Sequence, residues 1–231
     1  RGVDVSDIQS YGITIGNDGL VDQCRVRGPW APVPESPPPG PFSGIFTGEA
    51  SVISSCTATG IAGIGIQGMD NIRVVDCTVN QVAGCGIVTA HDGTVSGCSV
   101  RTCGSTGFDL NQGSVLMNCT AVSCGDPGVH VRNGCALHNV TSLGNQDHGF
   151  WVENTAPPGG PTLFDNSTNF VQCVAQGNSG DGFHATSDCS FTHCTADRNG
   201  VTSPVAAGDG FFFNDQCRLT NCVSSNNALN G

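Results

Sequence analysis

The sequence predicts an all-β fold, a right-handed single-stranded parallel β-helix of about nine coils of 21 residues. Three observations predict it: a cysteine column with a fixed step, a glycine column in register with it, and apolar columns beside both. The first column is Cys24, Cys56, Cys77, Cys98, Cys119, Val140, Cys173, Cys194 and Cys222, with steps of 32, 21, 21, 21, 21, 33, 21 and 28 residues. The three longer steps are 21 plus insertions of 11, 12 and 7. The second column is Gly12, Gly44, Gly65, Gly86, Gly107, Gly128, Gly149, Gly182 and Gly210. Each stands 12 residues before its cysteine-column partner, except Gly149, whose coil carries the 12-residue insertion. Self-similarity at a fixed period is the signature of a solenoid.

Each coil accordingly reads as a Gly-Ile/Phe/Val strand followed by a second strand of the form Val/Leu-x-x-Cys-Thr-Ala. The residue after the glycine is Ile13, Ile45, Ile66, Ile87, Phe108, Val129, Phe150, Phe183 or Phe211, and three residues before the cysteine stand Val21, Ile53, Val74, Val95, Leu116, Leu137, Phe170, Phe191 and Leu219. One coil cannot bury such a face alone, whereas stacked coils form a continuous core. Five residues past the cysteine column, Asn145, Asn178, Asn199 and Asn227 read as an internal ladder in which each side chain satisfies a turn backbone.

Fourteen cysteines raise the question of a disulfide framework. The repeat points the eight cysteines of the column inward as small apolar fillers. In-register neighbours have their Cβ vectors side by side, which makes bridging strained. The Cys-x4-Cys pairs 98/103, 119/124, 189/194 and 217/222 follow from the coil geometry rather than from a metal cluster.

The 231 residues read as a single domain, 1–231, with loop insertions near 29–41, 154–166 and 201–207. There is no lysine, and 8 arginines against 19 acidic residues leave a net charge of -11. That balance argues against nucleic acid or an anionic membrane as partner, and it opposes a polyanionic substrate unless arginine is concentrated locally. No apolar stretch approaches the ~20 residues that span a bilayer. The residues from Arg1 do not read as a signal peptide, so any export signal has been removed or omitted; an extracellular or periplasmic location is expected.

In its glycine and cysteine columns the chain resembles the parallel β-helix repeat family of the pectate-lyase-like superfamily. That superfamily holds pectate and alginate lyases, polygalacturonases, alginate epimerases, tailspikes and adhesins, so the resemblance implies the fold more narrowly than the function. Two segments are similar to alginate epimerases. Gly107-Phe108-Asp109-Leu110-Asn111 is similar to their Gly-Phe-Asp-Pro-His, which implies a catalytic Asp109, with Leu110 and Asn111 in place of Pro and His. Asn145-Gln146-Asp147-His148-Gly149-Phe150 is similar to their Asn-Asp-Arg-His-Gly-Phe, which implies a catalytic His148, with Asp147 in place of Arg. The intervening coil carries Arg132 where that family has an Asp.

Strand alternation places the residues two and four past the glycine on the solvent face. The early coils are bland there, whereas the later ones bring Asp109, His130, Trp151, His184 and Phe212 into one column and Asn111, Arg132 and Glu153 into the other. Trp151 and Phe212 offer planes for sugar rings, and Asn111 a polar contact. Just before the glycine, His148, Asp181 and Asp209 follow one another; paired carboxylates there resemble a retaining glycosidase site, or simply turn residues.

The expected partner is therefore a polysaccharide or oligosaccharide. The first reading is an enzyme on an acidic polysaccharide, a lyase or epimerase that abstracts the proton at carbon five of a uronate. There Arg132 neutralises the carboxylate and His130 or His184 is the base, with Asp109, His148 and Glu153 in the same catalytic set. The second is a glycoside hydrolase using Asp181 and Asp209 with His148 alongside. The third is a non-catalytic glycan-binding spike, whose open helix ends would be covered by further chain or by a second copy. No cofactor or metal is expected; a calcium ion between Asp109 and Glu153 has no Asp-rich loop to support it.

Overall fold

The computed structural model describes residues 1–8, 11–28, 42–153, 167–201 and 208–231. The three expected insertions, 29–41, 154–166 and 201–207, lie outside these residues apart from the exposed Val201. The described strands form three parallel sheets of nine, nine and ten strands, and among the described residues there is no helix. No helix is therefore long and apolar enough to cross a membrane.

The first sheet runs from Ile13–Ile15 through Ser43–Thr47, Phe108–Leu110, Val129–Val131, Phe150–Val152 and Phe183–Ser187 to Phe211–Asp215. The second runs from Leu20–Asp22 to Arg218–Thr220, and the third from Asp4–Val5 to Val223–Ser225. Every pairing is coil to next coil, 21 residues apart outside the insertions, for example Ile87 with Phe108 and Val100 with Ala121. Parallel strands ~4.8 Å apart make the solenoid roughly 40 Å long.

Each coil has three strands, not the two read from the pattern. The residue before the cysteine column turns the chain at a positive φ: Gln23, Ser55, Asp76, Gly97, Asn118, Asn139, Gln172, His193 and Asn221 lie between +51° and +65°. These are mostly short polar residues that tolerate the left-handed region. This one-residue corner splits Val/Leu-x-x-Cys-Thr-Ala into a strand of the second sheet and a strand of the third. Similar corners precede the second sheet at Asn71 and Asp92, and positive φ angles recur near the ends of the third-sheet strands Thr78–Val82 and Ser99–Cys103, at Gln81 and Thr102.

The glycine column has a steric cause. A Cβ on Gly12, Gly44, Gly65, Gly86, Gly149 or Gly182 would stand 2.5–2.7 Å from the carbonyl oxygen of the next coil's glycine. Real Cβ atoms do not approach so closely, so only glycine lets the coils stack here.

The expected core columns are inside. Ile45, Ile66, Ile87, Phe108, Val129, Phe150 and Phe183 are buried, as are Ile53, Val74, Val95, Leu116, Leu137, Phe170 and Phe191. Leu219, in the last coil, is the exception and is exposed. In the later coils Phe150, Phe183 and Phe211 stack at 4.7 and 4.8 Å, and Phe170 and Phe191 stack at 4.8 Å across from them. These rings form a stiff floor under the outer face of the first sheet.

The asparagine ladder is internal. Asn178 Oδ1 accepts from Asn145 N at 3.0 Å and from Asn145 Nδ2 at 2.8 Å, while Asn178 Nδ2 donates to Asn199 Oδ1 at 2.9 Å and Ser142 O at 3.2 Å. Asn199 repeats the pattern onto Asn227. The same column continues toward the N-terminus as Cys124, Cys103, Val82 and Ile61, all buried, with Cys124 N donating to Asn145 Oδ1 at 2.9 Å.

The cysteine column is a buried stack of free thiols at Cys24, Cys56, Cys77, Cys98, Cys119, Cys173 and Cys194. Hydrogen bonds between neighbouring thiols and burial push the Cys77 and Cys98 thiols up to about 12, whereas the hydrogen bonds that Cys119 and Cys194 receive lower theirs. The expectation of unbridged neighbours fails at one place. Cys103 and Cys124, in adjacent coils with Cα atoms 4.6 Å apart, form a disulfide. They sit in the column that continues as the asparagine ladder rather than in the cysteine column, each just after a residue of positive φ (Thr102 and Ser123).

Two outcomes follow from this core. Asn178→Ala removes the middle rung and strands backbone groups of two coils, so denaturant melts should show a loss of about 1–3 kcal/mol; an unchanged midpoint would place the ladder outside the cooperative core. Thiol titration in denaturant should read two fewer thiols before reduction than after it, and a larger difference would mean a disulfide framework.

Candidate functional site

The outer face of the first sheet gathers its chemistry in the coils from Asp109 to Phe212. Register stacks Asp109, His130, Trp151, His184 and Phe212 as consecutive Cα partners. The column expected from alternation is therefore present, and the side chains meet from coil to coil.

At its N-terminal half, His130 Nδ1 lies 3.1 Å from Asp109 Oδ1, and His130 Nε2 lies 3.2 Å from Glu153 Oε2 without hydrogen-bond alignment. The Arg132 guanidinium spans the same two acids, with Nη1 3.4 Å from Asp109 Oδ1 and Nε 3.5 Å from Glu153 Oε2. The Trp151 ring stacks on the His130 imidazole at 4.7 Å. These neighbours cover His130, which is only 8% exposed rather than solvent-facing as alternation alone predicts.

The C-terminal half is built on Asp181. His184 Nδ1 is 2.7 Å from Asp181 Oδ2, and His148 Nδ1 is 3.4 Å from the same oxygen. Among the described residues, no hydrogen bond engages His184 Nε2. The His184 ring lies between His148 at 4.5 Å and Phe212 at 4.7 Å, and Trp151 is 6.4 Å from His148. A run of rings thus extends from His130 to Phe212 along the solenoid axis.

His148, Asp181 and Asp209 also form a ladder of their own. The backbone N–H of Asp181 donates to His148 Nδ1 at 3.0 Å, that of Asp209 to Asp181 Oδ1 at 2.7 Å, and that of Asn230 to Asp209 Oδ1 at 2.8 Å. Each side chain caps the next coil, which is the turn role anticipated for the two aspartates. Burial opposes ionisation of Asp181, yet the His184 and Asp209 hydrogen bonds outweigh it and hold the carboxyl below the usual range. Burial lowers the His148 pKa and keeps the ring neutral, consistent with its accepting an amide proton.

Of the residues expected here, Asn111 is not drawn into either cluster; its Oδ1 accepts from Gln112 N at 2.8 Å. Two participants escaped the sequence reading. Asp147 Oδ1 lies 3.5 Å from His148 Nε2, and Asn230 closes the ladder onto Asp209 with both its backbone and its Nδ2. Asp147 was visible only as a departure from a motif, and Asn230 stands outside the columns. Five carboxylates (Asp109, Asp147, Glu153, Asp181 and Asp209) thus share this face with one arginine, and Arg132 alone of the eight flanks a strand of the first sheet.

Residues 1–156 match the family model described as the right handed beta helix region. The chain belongs to this right-handed β-helix family. No curated protein sequence matches it. Among solved β-helix structures it is similar to the periplasmic alginate epimerase AlgG, at 12% identity over 96% of this chain and 49% of that one, with a TM-score of 0.63. It is also similar to the Dettilon tailspike protein gp208, at 13% identity over 97% of this chain and 53% of that one, with a TM-score of 0.64. The chain spans about half the length of these β-helix structures. At such identities the likeness establishes the shared fold.

Proposed function

We propose that this chain acts on a polysaccharide along the outer face of the first sheet, with His184 transferring a proton at a sugar carbon. The observation that carries the reading is the Asp181–His184 pair set between Trp151 and Phe212 in one column. With Nδ1 of His184 engaged by Asp181 at 2.7 Å, Nε2 is the atom that would act as the base. The two flanking aromatic planes suit sugar rings.

The reaction type favoured is that of a uronate lyase or epimerase. His184 takes the proton at carbon five. The electron pair then either expels the oxygen on carbon four, which leaves as a hydroxyl after taking a proton from protonated His184 or from water and gives an unsaturated sugar, or takes a proton from water on the other face, giving the epimer while His184 later returns its proton to solvent. Arg132 is the residue for a substrate carboxylate; its contacts to Asp109 and Glu153, at 3.4 and 3.5 Å, are long enough to be exchanged for a closer bidentate partner. His130, packed beneath Trp151, acts as a positioning residue that sets the ring and the two acids. The similar solved structures include a periplasmic alginate epimerase, which supports a glycan substrate and an exported protein.

The glycoside hydrolase reading is less favoured, because Asp181 and Asp209 both accept backbone N–H groups. A non-catalytic glycan-binding spike remains the second reading. The observation that favours it is Arg132 itself, whose charge two carboxylates already offset.

Incubation with a panel of polysaccharides, read by ultraviolet absorbance for unsaturated uronates, by a reducing-end assay and by NMR for epimers, tests the proposal. The wild-type chain should convert at least one polyuronate, and His184→Ala should lose that turnover with its melting temperature little changed. Trp151→Ala should raise KM more than it lowers kcat, since a stacking plane holds ground and transition states alike. Binding without conversion in the wild type would establish the spike reading instead.

A further inference from the structure

Both imidazoles near Asp181 turn the same ring atom toward the same carboxylate oxygen. His148, Asp181 and His184 each offer one ligand atom, and these three atoms lie within 4.8 Å of one another. The Nδ1 atoms of His148 and His184 stand 3.4 and 2.7 Å from Asp181 Oδ2. A tetrahedral zinc ion with bonds of about 2.0–2.1 Å holds its ligand atoms about 3.3 Å apart; the His148 separation matches this, whereas His184 Nδ1 has to draw back from Asp181 and the two imidazoles, within 4.8 Å, have to close on the ion.

We propose that His148, Asp181 and His184 form a binding site for a divalent cation of the Zn2+ class on the outer face of the first sheet.

The donor set selects the ion. Two imidazoles and one carboxylate suit Zn2+ and its first-row neighbours, whereas Ca2+ and Mg2+ prefer all-oxygen shells. Three protein ligands leave a fourth position open to solvent, the arrangement of reactive rather than purely structural zinc sites.

The surroundings hold two of the three ligands, Asp181 and His184, before the ion arrives. Asp209 N–H anchors Asp181 Oδ1 at 2.7 Å and leaves Oδ2 for the cation, while Phe212 backs the His184 ring at 4.7 Å. Such outer contacts orient metal ligands. The charge argues the same way. Asp181 is 9% exposed, and among the described residues its ion-pair partners are two imidazoles with no arginine. A buried carboxylate so placed is stabilised by a cation.

Binding also has a cost. The Asp181 amide gives up its bond to His148 Nδ1, and the proton shared by His184 Nδ1 and Asp181 leaves to solvent as the metal–nitrogen bond forms. The affinity is therefore expected to fall short of that of a fully preformed site. The proposal does not rest on the glycan reading, although it bears on it: an ion held by His184 removes the base, so Zn2+ should silence proton transfer.

The test is titration of the intact, metal-free chain with Zn2+ by calorimetry and with Co2+ by absorption. The expected result is one saturable equivalent, tetrahedral Co2+ bands without thiolate charge transfer, and no competition from Ca2+. His184→Ala and Asp181→Asn should each weaken binding at least tenfold in a chain whose circular dichroism is unchanged. His91→Ala should leave it intact, although it removes the imidazole of the exposed His91–Asp70 pair, 3.1 Å apart. Thiolate bands, absence of saturation, or binding indifferent to His184→Ala each overturn the site. Should both variants unfold, paramagnetic shifts of the His148 and His184 resonances in the Co2+-loaded wild-type chain decide the point, and their absence overturns it. Turnover of polysaccharide is measured separately, so a failed metal site and a failed glycan reading give different results.

Discussion

The structure depends on the close approach of each coil to the next at the glycine column. Where one glycine Cα faces the next glycine carbonyl there is no room for a side chain: a Cβ on Gly86 would stand 2.5 Å from the Gly107 oxygen. That contact draws neighbouring coils to strand-pairing distance and keeps every coil in one register. Once the register is set, each position in a coil becomes a column along the whole solenoid. Core, corners and outer face are then decided column by column.

Columns impose a condition on polar groups. A side chain that points into a turn meets the backbone of the next coil rather than water, and a buried backbone group needs a partner. The chain meets that need twice by the same means. Asn145, Asn178 and Asn199 each pass a hydrogen bond to the next coil inside the solenoid. His148, Asp181 and Asp209 do so at the edge of the first sheet. The second ladder differs in being partly open. Asp181 gives one oxygen to the backbone and turns the other to His184, so a structural rung also orients the imidazole proposed as the base.

Periodicity made the core legible, because Ile66, Ile87 and Phe108 recur with no local context needed. The corner before the cysteines was harder to see. Its residues, among them Ser55, Asp76, Asn118 and His193, are diverse in type and alike only in backbone conformation, so the strand break they make does not show as a pattern. The candidate face was legible as columns, and its residues do meet, but alternation reports direction and not cover. His130 points outward as expected and is still enclosed, because Trp151 lies on it and Asp109, Arg132 and Glu153 surround it. The Cys103–Cys124 bridge was missed for a related reason. Strain was reasoned from flat in-register strands, and these residues each follow a residue of positive φ, in the column where Asn145 takes over as the next rung.

The electrostatics of the face narrow what can bind there. Arg132 lies within 3.5 Å of two acids, and no lysine exists to supplement it. A negatively charged sugar chain approaching this surface meets five carboxylates and one guanidinium, and like charges at such range are repulsive unless screened or neutralised. A polyuronate therefore needs either to displace Asp109 and Glu153 from Arg132 or to arrive with cations. A neutral glycan meets no such barrier. The ring column and the acidic surround thus pull in different directions for a charged substrate. The coils that carry both are the ones where salt and divalent ions should govern affinity most strongly.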